Sequence, residues 1–93
     1  MRLSATEVQK IKNKVQGIFG ESIIYLFGSR LDDTKKGGDI DLYIVPKDNN
    51  NLFKKKLQIK TTLEDTLYKP VDVVVASDQN RLIEKEALKG IIL

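Results

Sequence analysis

Val8, Ile11, Val15 and Ile18 recur at three- and four-residue steps among polar neighbours, so residues 4–19 are predicted to form an amphipathic helix. Ser4 followed by Glu7 opens it with a capping box, and Gly20 stands where such a helix stops. The pattern then changes period. Residues 23–27 are an unbroken apolar run, too short for a helix and rich in β-formers, which predicts a central strand covered on both faces. Residues 28–38 are polar and bounded by glycine, a connection with room for a helical turn after Ser29. Residues 40–45 form a second predicted strand, ended by Pro46 and the run Asp48-Asn49-Asn50-Asn51. A second helix is expected over residues 52–67, with Leu52, Ile59, Leu63 and Leu67 near one stripe and Phe53 and Leu57 beside it. After Pro70, residues 71–76 are a third strand. Ser77 or Asp78 can cap a last helix over residues 79–89, with Gly90 at its end.

The order is therefore helix, strand, turn, strand, helix, strand, helix. That is an α/β (α+β) plan, a small mixed sheet of three or four strands flanked by helices. At 93 residues one domain, 1–93, is expected, because a second core would have too little chain to bury. No run of eighteen apolar residues is present, so no membrane association is expected. The opening Met1-Arg2-Leu3-Ser4 runs into a charged segment without a signal-peptide core, and there is no cysteine; a cytoplasmic location is the expectation.

Two absences narrow the chemistry. With neither His nor Cys, the usual zinc sites, a Ser-His-Asp triad and a thiolate nucleophile are excluded. A metal would have to be a hard cation on oxygen ligands, and a general base would have to be Asp, Glu, Lys or Tyr. The net charge of +3 is mild, and Lys54-Lys55-Lys56 reads as a solvated face. Phe19, Phe27 and Phe53 fall on predicted core faces, so despite a pI of about 9.2 no aromatic-basic platform for nucleic acid is visible.

The acids carry the argument. Side chains alternate along a strand, so Asp39 and Asp41 project to one face with α-carbons roughly 6.5 Å apart. Ile40, Leu42 and Ile44 then supply the core from the other face. Asp inside an apolar strand is costly, and it recurs in Val71-Asp72-Val73-Val74-Val75. Three carboxylates gathered on such strands would repel one another, and a divalent cation relieves that. Taken singly, each Asp could instead cap a turn or pair with Lys35, Lys36 or Lys69. Gly28-Ser29 follows the first strand directly. Glycine lets backbone amides approach a phosphate and the hydroxyl adds a donor, although a Gly-Ser pair after a strand can be only a turn. Arg30 could brace a phosphate or pair with Asp32 or Asp33.

Leu26-Phe27-Gly28-Ser29-Arg30, nine residues from Arg30 to Gly38, and then Asp39-Ile40-Asp41-Leu42 resemble the signature of the DNA polymerase β-like nucleotidyltransferase superfamily. The strand around Asp72 resembles that superfamily's third-carboxylate strand. The similarity is greatest to the minimal nucleotidyltransferase (MNT) family, small prokaryotic proteins encoded beside HEPN-domain partners in toxin–antitoxin pairs. It spans nearly the whole chain. Against the minimal pattern, Ser29 and Asp39 are about one residue closer together, Gly38 stands where Ser is common, and a second Arg after Arg30 is missing.

The resemblance implies a nucleotidyltransferase fold and transfer of AMP from ATP to a hydroxyl. It places Gly28, Ser29 and Arg30 at the nucleotide's phosphates. Asp39, Asp41 and Asp72 become the catalytic carboxylates and the ligands of two Mg²⁺ ions, with Asp72 the base for the incoming hydroxyl. The implied acceptor is a tyrosine of a HEPN-domain toxin, which makes the chain an antitoxin enzyme. The alternative is a catalytically weak or inactive module of the same fold that neutralises its partner by binding alone. In that case the apolar tail Ile91-Ile92-Leu93 could serve as an interface rather than as a short edge strand or packed terminus.

Overall fold

The computed structural model describes residues 3–28, 40–76 and 82–93. Helix α1, Ala5–Phe19, begins at the capping box expected for it. The Ser4 hydroxyl accepts from the Glu7 amide and the Glu7 carboxylate accepts from the Ser4 amide, both at 3.1 Å. It buries Ile11, Val15 and Phe19, and it ends at Gly20 with φ of +76°, a conformation glycine adopts without steric cost. Strands β1 (Ser22–Phe27) and β2 (Ile40–Pro46) follow, then α2 (Leu52–Leu67), β3 (Val71–Val75), α3 (Leu82–Ala87) and β4 (Ile91–Ile92).

The four strands make one mixed sheet in the order β3-β2-β1-β4. β1 pairs antiparallel with β2 and with β4, while β2 and β3 run parallel, joined by the α2 crossover. Alternation sorts the sheet's two faces. One carries Ile24 and Leu26, Ile40, Leu42 and Ile44, and Val71, Val73 and Val75; all are buried under α1 and α2 in the main core. The other carries Phe27, Asp41, Tyr43, Asp72 and Val74, and it is partly covered by α3 through Ala87. The α/β (α+β) plan is the one expected, and of the three or four strands allowed for the mixed sheet there are four, the fourth being the short β4.

Several expectations need correction. Phe53 and Leu57 are 76% and 53% exposed and do not join the core. At 100° per residue they lie on the flank of α2 shared by Lys60 and Glu64, outside the buried arc of Ile59, Leu63 and Leu67. β1 is not covered on both faces throughout, because Ile23 is half exposed. α3 closes at Ala87 rather than at residue 89. The Gly90 amide donates to the Ala87 carbonyl at 3.0 Å, and the chain turns directly into β4. Gly90 is needed there: a Cβ would collide with the Leu26 carbonyl of β1. The caps at Ser77 or Asp78 and the first residues of the expected last helix lie outside the described residues.

Candidate active site

Asp41 and Asp72 are α-carbon partners across the parallel β2–β3 pair. Partnered residues project to the same face, and adjacent strands lie about 4.8 Å apart, so the two carboxylates rise side by side from the face opposite α1 and α2. Asp41 is half-buried, and its other α-carbon partner is Phe27 of β1. Asp72 is more open, with 58% of its side chain accessible. Like charges set opposite one another destabilise a sheet, so this face carries an electrostatic cost that a cation would offset.

Gly28 closes the site from the β1 side. Its φ is +77°, and a Cβ there would land on the Asp41 carboxylate. The peptide backbone after Phe27 thus lies directly against one carboxylate, a closeness only glycine permits. Asp39, Ser29 and Arg30, the remaining residues expected at the site, lie outside the described residues, as do Lys35 and Lys36.

Lys60 is a neighbour that sequence reasoning did not assign to the site. Its Nζ stands 3.9 Å from Asp72 Oδ1, donates to the Val71 carbonyl at 2.6 Å and to Glu64 Oε2 at 3.2 Å. Glu64 Oε2 in turn accepts from the Val71 amide at 3.0 Å. Val71 therefore turns its peptide groups away from β2, and the Lys60–Glu64 pair holds them at the outer edge of the sheet. The Val71 amide, followed by Lys60, keeps the Glu64 carboxyl below its ordinary value of 4.5. The four-residue spacing of Lys60 and Glu64 was a readable signal for the pair, but nothing in it pointed to Asp72. Lys69, a candidate partner for one of the acids, is engaged elsewhere: it donates to Glu7 Oε2 at 2.7 Å, and this bond is the main cause that lowers the Glu7 pKa.

Beneath the carboxylates, the Tyr43 hydroxyl donates to Glu84 Oε1 at 2.8 Å, with both residues fully buried. Tyr43 lies two residues after Asp41 on the same face, and its ring packs 5.8 Å from that of Tyr25. This bond ties α3 to the strand that bears Asp41. Among the described residues no group of three or more acidic, His or Cys side chains is gathered as a metal site. A cavity of about 460 Å³ lies between α1, β1 and β4, lined by Lys12, Gln16, Ser22, Ile24 and Leu93, and it does not include Asp41 or Asp72.

The family model described as "Polymerase beta, Nucleotidyltransferase" matches residues 9–93. The chain belongs to the polymerase β nucleotidyltransferase family. No curated protein matches it. The matched range takes in all four described strands, β1 to β4. Nucleotidyltransferase domains generally use a nucleotide and a divalent metal, and the described part of this site fits such a metal. Its donors are two carboxylates on neighbouring strands, hard oxygen ligands on one face of the sheet. Among the described residues no helix is long and apolar enough to cross a membrane.

Proposed function

We propose that this nucleotidyltransferase moves AMP from Mg-ATP to a hydroxyl of a partner protein, a tyrosine of a HEPN-domain toxin, and so acts as an antitoxin. The observation that carries the transfer chemistry is the juxtaposition of Asp41 and Asp72 on one face, with the Gly28 backbone against Asp41. The identity of the partner is supported by the motif's similarity to minimal nucleotidyltransferases.

In this reading Gly28 and Ser29 hold the terminal phosphates through backbone amides and a hydroxyl, and Arg30 braces them. Asp39, Asp41 and Asp72 would hold two Mg²⁺ ions, which would supply positive charge to the triphosphate and to the attacking oxygen. Asp72, the more exposed of the two described acids, takes the proton from the incoming hydroxyl. The hydroxyl oxygen bonds to the α-phosphorus, the bond to the bridging oxygen breaks, and pyrophosphate leaves. Lys60 Nζ, 3.9 Å from Asp72 Oδ1, sets a positive charge beside that carboxylate.

The second reading, a module that neutralises its partner by contact alone, draws on the same lysine. Lys60 offsets part of the carboxylate repulsion without any metal. The experiment that separates the two is incubation with α-labelled ATP, Mg²⁺ and the toxin. Asp39→Ala should abolish transfer of label, and the variant with all three acids replaced should bind the toxin without neutralising it. Neutralisation by that triple variant would establish the contact mechanism instead.

A further inference from the structure

The parallel pairing leaves β3 as an edge strand, with β2 on one side only. The Ile40 amide bonds to the Pro70 carbonyl and the Ala76 amide to the Ile44 carbonyl, so residues 70 and 76 turn their peptide groups toward β2. Val71 turns outward, and by alternation so do Val73 and Val75. The Lys60–Glu64 pair occupies the outward groups of Val71. Among the described residues nothing bonds those of Val73 and Val75.

A ledge runs beside this open stretch. α2 returns antiparallel to β3, with Lys60 and Glu64 level with Val71. Leu57 lies about 4.5 Å and Phe53 about 10.5 Å back along the same helix flank. β3 meanwhile advances about 6.6 Å to Val73 and about 13 Å to Val75. The exposed apolar pair therefore accompanies the unpaired peptide groups. Natural sheets usually protect such an edge with charge, proline or a covering element, and among the described residues the protection stops at Val71.

We propose that the outer edge of β3 at Val73–Val75, with Phe53 and Leu57, is a docking surface for an extended, acidic segment of a partner protein, which adds to the sheet as a fifth strand. Main-chain bonds would give affinity, and alternate apolar side chains would lie on the Phe53–Leu57 ledge. Charge chooses the occupant. Lys54 and Lys56 are exposed beside the ledge, whereas the nearest acids are already engaged, Glu64 with Val71 and Lys60, and Asp72 facing Lys60. A second copy of this chain would add its own lysines to the same edge, and an acidic strand would neutralise them. A segment docked here passes Asp72 on the carboxylate face, which bears on the transfer reading without depending on it.

The test uses the whole chain and a synthetic peptide of alternating valine and threonine flanked by glutamates. Binding is expected to slow hydrogen exchange at the Val73 and Val75 amides. A peptide with lysine flanks should bind about tenfold more weakly or worse. Leu57→Ser and Phe53→Ser, both at exposed positions that leave the core untouched and add no charge, should weaken binding, and Val73→Pro should remove it by deleting an outward donor. No binding, equal binding of the two peptides, or binding without protection of those amides would overturn the proposal. Protection of the same amides in a peptide-free dimer would assign the edge to a second copy and overturn it equally.

Discussion

Asp41 and Asp72 stand opposite one another across a parallel pair of strands, and Gly28 lies against the first of them. Two carboxylates in that relation work against the sheet that carries them. Asp72→Asn, which removes that repulsion together with the exposed ion pair to Lys60, is therefore expected to change the stability of the metal-free domain by no more than about 0.5 kcal/mol. The same change should lower nucleotidyl transfer at least about 100-fold, the scale on which loss of an electrostatic stabiliser is felt. Thermal melts with and without Mg²⁺, run beside the transfer assay, check both halves: Mg²⁺ should raise the melting temperature of the parent and not of the Asp41→Asn/Asp72→Asn variant.

Gly28 and Gly17 make a paired test. Gly28→Ala forces a side chain into a left-handed conformation, costing about 1–2 kcal/mol, and sets its methyl group on the Asp41 carboxylate. Both stability and the response to Mg²⁺ should fall. Gly17 sits inside α1 with open space around it, so Gly17→Ala should stabilise the domain by about 0.5–1 kcal/mol and leave transfer unchanged. Denaturant titration of the two variants reads the opposite signs.

How much of this was legible from the residues differed by element. The capping box at Ser4 and Glu7 is a local signal, and α1 starts where it says. The opposite faces of Ile40-Asp41-Leu42 follow from strand alternation alone, and Ile40, Leu42 and Ile44 are fully buried. Phe53 misled because an aromatic residue at the edge of a helical stripe looks like core, whereas its angle on α2 carries it past the sheet's last strand. Lys60 was not readable as a neighbour of Asp72, since a helix-to-strand relation eleven or twelve residues apart has no periodic signature. The buried Tyr43–Glu84 bond was invisible for the same reason, and it places an acid where composition would put it on the surface.

That bond supplies a stability test. Tyr43→Phe removes a hydrogen bond to a buried carboxylate and should cost about 1.5–3 kcal/mol. Glu84→Gln should cost less, because the amide oxygen can still accept from the Tyr43 hydroxyl. Urea unfolding of the two variants decides the order.

Acid should loosen the junction between α1 and the turn before β3. The Lys69 ammonium, bonded to Glu7, holds that carboxyl below its ordinary value of 4.5. A carboxyl depressed in the folded state contributes stability that is fully present above the unfolded value and is lost as pH falls through the folded one. The contribution is thus intact at neutral pH and disappears below about pH 4.5. Lys69→Met removes the largest part of it and leaves the Ser4 bonds, so the variant's stability should fall less steeply than the parent's across that acid range, as denaturant unfolding at a series of pH values would record.

The most direct measurement is of label itself. The chain, Mg²⁺, α-labelled ATP and a HEPN-domain toxin are incubated together, and the labelled residue is located by mass spectrometry. AMP on a toxin tyrosine, made by the parent chain and not by Asp72→Asn, is the expected result. An unlabelled toxin that is nevertheless neutralised, or label transferred equally well by Asp72→Asn, would contradict it.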